Sequence, residues 1–164
     1  MKIETYKENP HHLAQLVDLI NFCQNTEAKL DIKFTEQDDI FQIAHYYQAK
    51  SGEFWLALDD NDKVVGSIAL LPVNATTAVL KKFFTYPEFR GAPEHLGAQL
   101  YQHFIDFAQE KEFETIVLDT PEGEHRSHGF YEKKGFVQIK KEELTVDYPF
   151  PDRNSRIYEL KLKG

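Results

Sequence analysis

The stretch Tyr86-Pro87-Glu88-Phe89-Arg90-Gly91-Ala92-Pro93-Glu94-His95-Leu96-Gly97-Ala98 reads, taken alone, either as a plain strand-to-helix loop or as an anion-holding one. Glycines at 91 and 97 let backbone N–H groups approach a ligand, and the apolar periodicity that starts at Leu96 predicts a helix whose first turn adds unpaired donors and partial positive charge. Arg90 brings a planar cation suited to phosphate. The loop is not of the Walker type, because Ala98-Gln99 stands where Lys-Ser/Thr would follow the second glycine, and no G-x-G-x-x-G occurs to suggest a dinucleotide.

A second run, Ser127-His128-Gly129-Phe130-Tyr131-Glu132-Lys133-Lys134-Gly135-Phe136, places one phenol among core aromatics. Read alone, Phe130 and Phe136 are core, Gly135 is the residue after a helix end, and Tyr131 is the wall of an amphipathic helix. Asp119, Glu122, Glu124 and His125 precede it and are candidate proton acceptors. His125 and His128 share a helix face, but a metal site needs more ligands and no cysteine is near, so no metal is expected.

These residues need elements to hold them. Residues 2–6 alternate as a strand, and Asn9-Pro10 reads as the cap and first residue of a helix with Leu13, Leu16, Val17, Ile20 and Cys23 on one face. Thr35 is the expected cap of a second helix, with Glu36, Asp38 and Asp39 in its first turn and Ile40, Ile43, Ala44 and Tyr47 as its buried stripe. Residues 54–58 and 63–71 form a hairpin around Asp59-Asp60-Asn61-Asp62, and 77–85 continues the antiparallel meander. Leu96, Leu100, Phe104, Phe107 and Ala108 then give a helix leading to a strand at 115–118, which implies a parallel, right-handed crossover. A helix over 124–134 and strands at 136–139 and 156–162 complete one mixed α/β domain over residues 1–164, without repeat or linker.

Nineteen basic against 27 acidic residues, a net charge of -8, disfavour nucleic-acid phosphates and anionic lipid as partners. The lone Cys23 forms no internal disulfide and fits a reducing compartment, and the sequence offers neither a membrane-length apolar run nor a signal-peptide core, so a cytoplasmic protein is expected.

In this order and on this pattern of elements, the two runs resemble the GNAT superfamily of acetyl-coenzyme A-dependent N-acetyltransferases. Thr85-Tyr86-Pro87-Glu88-Phe89-Arg90-Gly91 matches the first half of that family's V-x-P-x-x-R-G-x-G-x-G/A loop; Leu96-Gly97-Ala98 and Leu100 match its end; Phe130, Tyr131, Gly135 and Phe136 match its F-Y-x-x-x-G-F signature. Two extra residues stand between Arg90 and Gly97, and His95 replaces the glycine two before Gly97. Glu124 falls where many members carry a cofactor-contacting asparagine. The resemblance implies a mixed, mostly antiparallel sheet with a central parallel pair, flanked by helices. It also implies acetyl-coenzyme A as cosubstrate, bound by Phe84, Thr85, Arg90, Gly91, His95, Leu96, Gly97 and Ala98.

Under that resemblance a neutral amine attacks the thioester, backbone N–H near Phe84 and Thr85 polarises its oxygen, and Tyr131 protonates the departing thiolate. Asp119 is the base expected to take the ammonium proton, with Glu122, Glu124 and His125 as alternatives. The acceptor is a small-molecule or peptide amine, held by the first two helices, the loop at 26–34 and the aromatic turn Tyr148-Pro149-Phe150-Pro151. The carboxylates of 36–39 and 119–124 either draw in a cationic amine or merely solvate the surface. A homodimer is compatible with this reading. The rivals are a noncatalytic acyl-coenzyme A-binding module of the same fold and a phosphate-ligand protein of another fold.

Overall fold

The computed structural model describes residues 1–148 and 154–162. One seven-stranded sheet runs in the order β1-β2-β3-β4-β5-β7-β6, from β1 (Lys2–Thr5), β2 (Glu53–Leu58), β3 (Val64–Pro72), β4 (Thr77–Thr85), β5 (Thr115–Pro121), β6 (Val137–Ile139) and β7 (Ser155–Lys161). Every pairing is antiparallel except β4 with β5. That parallel pairing lasts for three residues, Thr77–Thr115, Ala78–Ile116 and Val79–Val117, after which β5 stays with β7 and β4 with β3. The sheet therefore splits at its centre.

Period-two alternation sends neighbouring residues into two separate cores. Trp55 and Ala57 of β2 face one side with Ile68, Leu80 and Leu118. Against them lies the buried stripe Leu96, Leu100, Phe104 and Ala108 of α3 (Leu96–Glu110). Phe54, Leu56 and Leu58 face the other side, against Leu16, Leu19, Ile20 and Cys23 of α1 (Pro10–Asn21) and the π-helical turn Phe22–Glu27 that continues it.

Local chemistry sets the element ends. Asn9 accepts from His11 N and His12 N at 2.9 and 3.2 Å and starts α1 as expected. Gly135, at φ +96°, follows α4 (His125–Lys133). The expected helix from Thr35 does not form as one piece. Instead, 3₁₀ turns Phe34–Glu36 and Asp38–Gln42 lead to a single α-turn, α2 (Ile43–Tyr46), and a further 3₁₀ turn Gln48–Lys50. The breaks fall at Gln37 (φ -134°, ψ 52°) and Gln42 (φ -143°, ψ 49°). Gln37 leaves helical geometry because its amide is drawn inward: it exchanges hydrogen bonds with Gln24 at 2.9 and 3.1 Å and accepts from Lys82 at 2.7 Å.

Candidate active site

The two candidate proton-transfer groups sit on opposite faces of the split sheet. Ile116 and Leu118 of β5 face α3, so Val117 and, two residues on, Asp119 face the α1 side. There the Tyr148 hydroxyl donates to Asp119 Oδ1 at 3.1 Å, and burial pushes the Asp119 carboxyl above its ordinary value. Tyr131 of α4 lies on the α3 side, among the rings of Phe83, Phe130, Phe136 and Tyr158. Its hydroxyl has no hydrogen-bond partner among the described residues. Burial, with the Asp119 charge second, raises that phenol well above the usual value for tyrosine.

Between these faces runs the free edge of β4. Tyr86 N donates to Val65 O of β3 at 3.2 Å, and successive N–H groups point to opposite edges of a strand. The Thr85 N–H and carbonyl therefore face the gap, whereas the Phe84 N–H points back toward β3. Of the two residues expected to offer a donor here, Thr85 is the one turned to the opening. Phe84 instead lends its ring to the core against α1.

The loop that follows leads to the start of α3, which has no side-chain cap. His95 occupies the residue before the helix at φ 45°, the left-handed region a glycine would take without strain. A histidine held in this conformation costs about 1 kcal/mol relative to a glycine. Gly97 shows the converse. A Cβ there would meet only Phe83 and Phe130, at 3.7 and 3.9 Å, and a Cβ at Gly91 would meet nothing. Neither packing nor dihedral demands glycine at these positions, and their glycines leave the backbone open to close approach. The residues present fit a pyrophosphate-bearing cosubstrate.

Arg90 opens this loop, but its guanidinium turns away from it. It forms a bidentate pair with Glu27 at 2.6 and 2.7 Å and donates to Thr85 O at 2.6 Å and Thr85 Oγ1 at 3.2 Å. Arg126 of α4 also comes within 3.8 Å of Glu27.

The α1 side of the sheet contains a cluster that sequence reading missed. The β3–β4 register shifts between Ser67 and Ala69, and Lys82 takes φ 52° in the resulting bulge, with Ser67 Oγ donating to its carbonyl at 2.7 Å. The bulge resets the alternation: Leu80 and Phe83 share one face, and Lys82 reaches the other. Its ammonium is enclosed there, donating to Gln37 at 2.7 Å and lying 3.8 Å from Asp39, which accepts from Tyr47 at 2.5 Å. Burial lowers the Lys82 pKa to about 8 against the pull of Asp39. The readable signal was the adjacent pair Lys81-Lys82, which interrupts an apolar strand. Asp39 is consequently turned inward and paired rather than standing free at a mouth.

The remaining candidates are placed differently. Glu122 pairs with Arg156 at 2.8 Å, and His125 packs edge-on to His128. Among the described residues no three His, Cys, Asp or Glu side chains gather as a metal site, and no helix is long and apolar enough to cross a membrane. The loop at 26–34 is closed by Asn25, which bonds both Ile32 O at 2.9 Å and Ile32 N at 2.6 Å. Of the aromatic turn, Tyr148 reaches Asp119, while Pro149, Phe150 and Pro151 lie outside the described residues. A surface hollow of about 440 Å³, lined among others by Ser51, Val73, Lys111 and Phe113, is at the opposite end of the sheet from these groups.

Residues 14–136 match the acetyltransferase (GNAT) family. The chain is 64% identical to an acetyltransferase of Streptococcus agalactiae, whose crystal structure it matches over 98% of both chains with a TM-score of 0.96. A GNAT-family acetyltransferase of Staphylococcus aureus is 28% identical over 99% of this chain and 100% of that one, with a TM-score of 0.90. Among curated proteins, probable N-acetyltransferase 14 of Xenopus tropicalis is 30% identical over 112 residues, 68% of this chain and 53% of that protein. The chain spans about half the length of the curated relatives it matches.

Proposed function

The chain belongs to the GNAT family of acetyltransferases, and from that premise we propose that it transfers acetyl from acetyl-coenzyme A to a primary amine within one ternary complex. The observation that carries the proposal is the split between β4 and β5, with a half-buried carboxylate on one face and a buried phenol on the other. An amine approaching from the α1 side and a thiolate leaving on the α3 side would each meet a group able to handle its proton.

Bound acetyl-coenzyme A supplies the thioester that is attacked and the thiolate that leaves. Gly91, His95, Leu96, Gly97 and Ala98 offer backbone to its pyrophosphate at the uncapped start of α3. The Thr85 N–H, on the free edge of β4, is the donor for the carbonyl oxygen. Asp119 receives the acceptor's ammonium and takes its proton, which its raised affinity for protons favours. Tyr131 stays protonated across the working range and donates at the leaving sulfur. Lys82, Asp39 and Tyr47, linked to one another on the same side as Asp119, would line the acceptor's approach.

The test is release of thiol from acetyl-coenzyme A across a panel of amines comprising amino acids, peptides, polyamines and aminoglycosides. Turnover with any of them supports the enzyme. Saturable binding of acetyl-coenzyme A without turnover on any of them would make the chain a binding module.

A further inference from the structure

Arg90 stands where the family resemblance puts a pyrophosphate ligand, yet four of its five N–H groups are committed inside the protein: two to Glu27, one to Thr85 O and one to Thr85 Oγ1. The Thr85 carbonyl also accepts from the Cys23 thiol at 3.5 Å. Swinging the guanidinium toward a phosphate would strip Glu27 of its bidentate partner and leave the Thr85 carbonyl with one weak donor, both costly in a partly buried setting. Arg126, at 3.8 Å and more exposed, replaces neither bond.

The three partners belong to different halves of the site. Thr85 is the residue whose N–H faces the gap between β4 and β5. Glu27 ends the turn Phe22–Glu27, from which the acceptor loop departs. Arg90 begins the cosubstrate loop. We propose that Arg90, through its fork to Glu27 and Thr85, is a positioning residue that locks the free edge of β4 to the acceptor segment, and that it is not a ligand of the pyrophosphate. This rests on the acetyltransferase reading above. Loss of the fork lets the Thr85 N–H drift from the carbonyl oxygen it must meet and loosens the start of the acceptor loop, leaving the backbone cradle of Gly91, Gly97 and Ala98 in place.

Calorimetric titration with acetyl-coenzyme A, paired with steady-state kinetics, separates the alternatives in Arg90→Gln, Arg90→Lys, Glu27→Gln and the double variant Arg90→Gln/Glu27→Gln. The expected result is a Kd for acetyl-coenzyme A within about twofold of the parent in all four, and a kcat about tenfold or more lower in Arg90→Gln. Glu27→Gln should reproduce most of that loss, and the double variant should be no worse than the worse single, as for residues acting as one unit. Arg90→Lys keeps the charge but not the fork, so it should lose kcat like Arg90→Gln. A Kd raised about tenfold in Arg90→Gln, restored by Arg90→Lys and untouched by Glu27→Gln, would overturn the proposal in favour of a phosphate contact. Absence of binding by the unmutated protein would instead overturn the acetyltransferase reading on which it stands.

Discussion

The two sides proposed above for cosubstrate and acceptor are built by different means. The first comes from one contiguous stretch, β4 to α4, and offers mostly backbone: an uncapped helix start, a free strand edge and glycines that neither packing nor dihedral requires. The second is assembled from side chains of Gln24, Gln37, Asp39, Tyr47, Lys82, Asp119 and Tyr148, scattered over more than half the chain. A backbone device leaves a spacing in the sequence, because glycine and helix periodicity are positional. A side-chain cluster leaves none. Under the proposed function, the recognisable half indicates the chemistry and the other half would hold the choice of acceptor.

The sharpest way to break this division is Tyr131→Phe, which removes one oxygen and keeps the packing. With the phenol as proton donor, kcat should fall by roughly 10²-fold or more while acetyl-coenzyme A binding holds; unchanged turnover would return Tyr131 to the core. Because its pKa is raised, the unmutated enzyme should show no loss of kcat from this group below about pH 10.

Next in size is Gly97→Asp. Acetyl-coenzyme A at 100 times its Kd should stabilise the parent by about 2.7 kcal/mol in thermal unfolding, and the variant should lose that gain. Its ligand-free stability should barely change, since a Cβ there has ordinary contacts. A variant that unfolds without ligand would make Gly97 a packing residue.

For the acceptor half, Lys82→Met tests the buried amine. Folded Lys82 releases its proton near pH 8 while the ordinary value is 10.5, so between these pH values the unfolded chain binds a proton that the folded one does not. Stability of the parent relative to Lys82→Met should therefore rise with pH, approaching about 1.4 kcal/mol per unit. Urea unfolding at pH 8, 9 and 10 reads this directly, and a flat or falling difference would show that the ammonium is not buried in solution.

The smallest effect concerns acceptor charge. Asp39 is paired with Lys82 and Tyr47, and Lys81 and Lys82 offset Asp119. Raising salt should change kcat/KM for cationic and neutral amines of equal size alike, within about twofold. A steep fall for the cationic amine alone would restore the acidic-mouth reading.

The sequence was legible wherever local rules act alone. The span 77–85 emerges as β4 residue for residue, the Asn9 cap and the Gly135 end are where side-chain chemistry places them, and the parallel crossover follows from strand-helix-strand order. It failed at 34–50, where helix periodicity was real but Gln37 gained more from Gln24 and Lys82 than from helical geometry. The bulge at Lys82 was equally hidden, since a register shift is decided by two strands together. The base stays a choice among neighbours in sequence: Asp119 is half-buried and accepts from Tyr148, whereas Glu122 is tied to Arg156.

Adjacent residues such as Trp55 and Leu56 belong to different cores, and the sheet is the only wall between them. Substitutions deep in one core are therefore screened from the other by the sheet, and the two sides meet beyond it at Tyr86, which packs against both cores, and at the fork between Arg90 and Glu27. In evolutionary terms residues 22–50 can vary only around those crossings: a lineage that reworks this segment has to keep Glu27, or replace the fork it completes, for the β4 edge beside the gap to stay where it is.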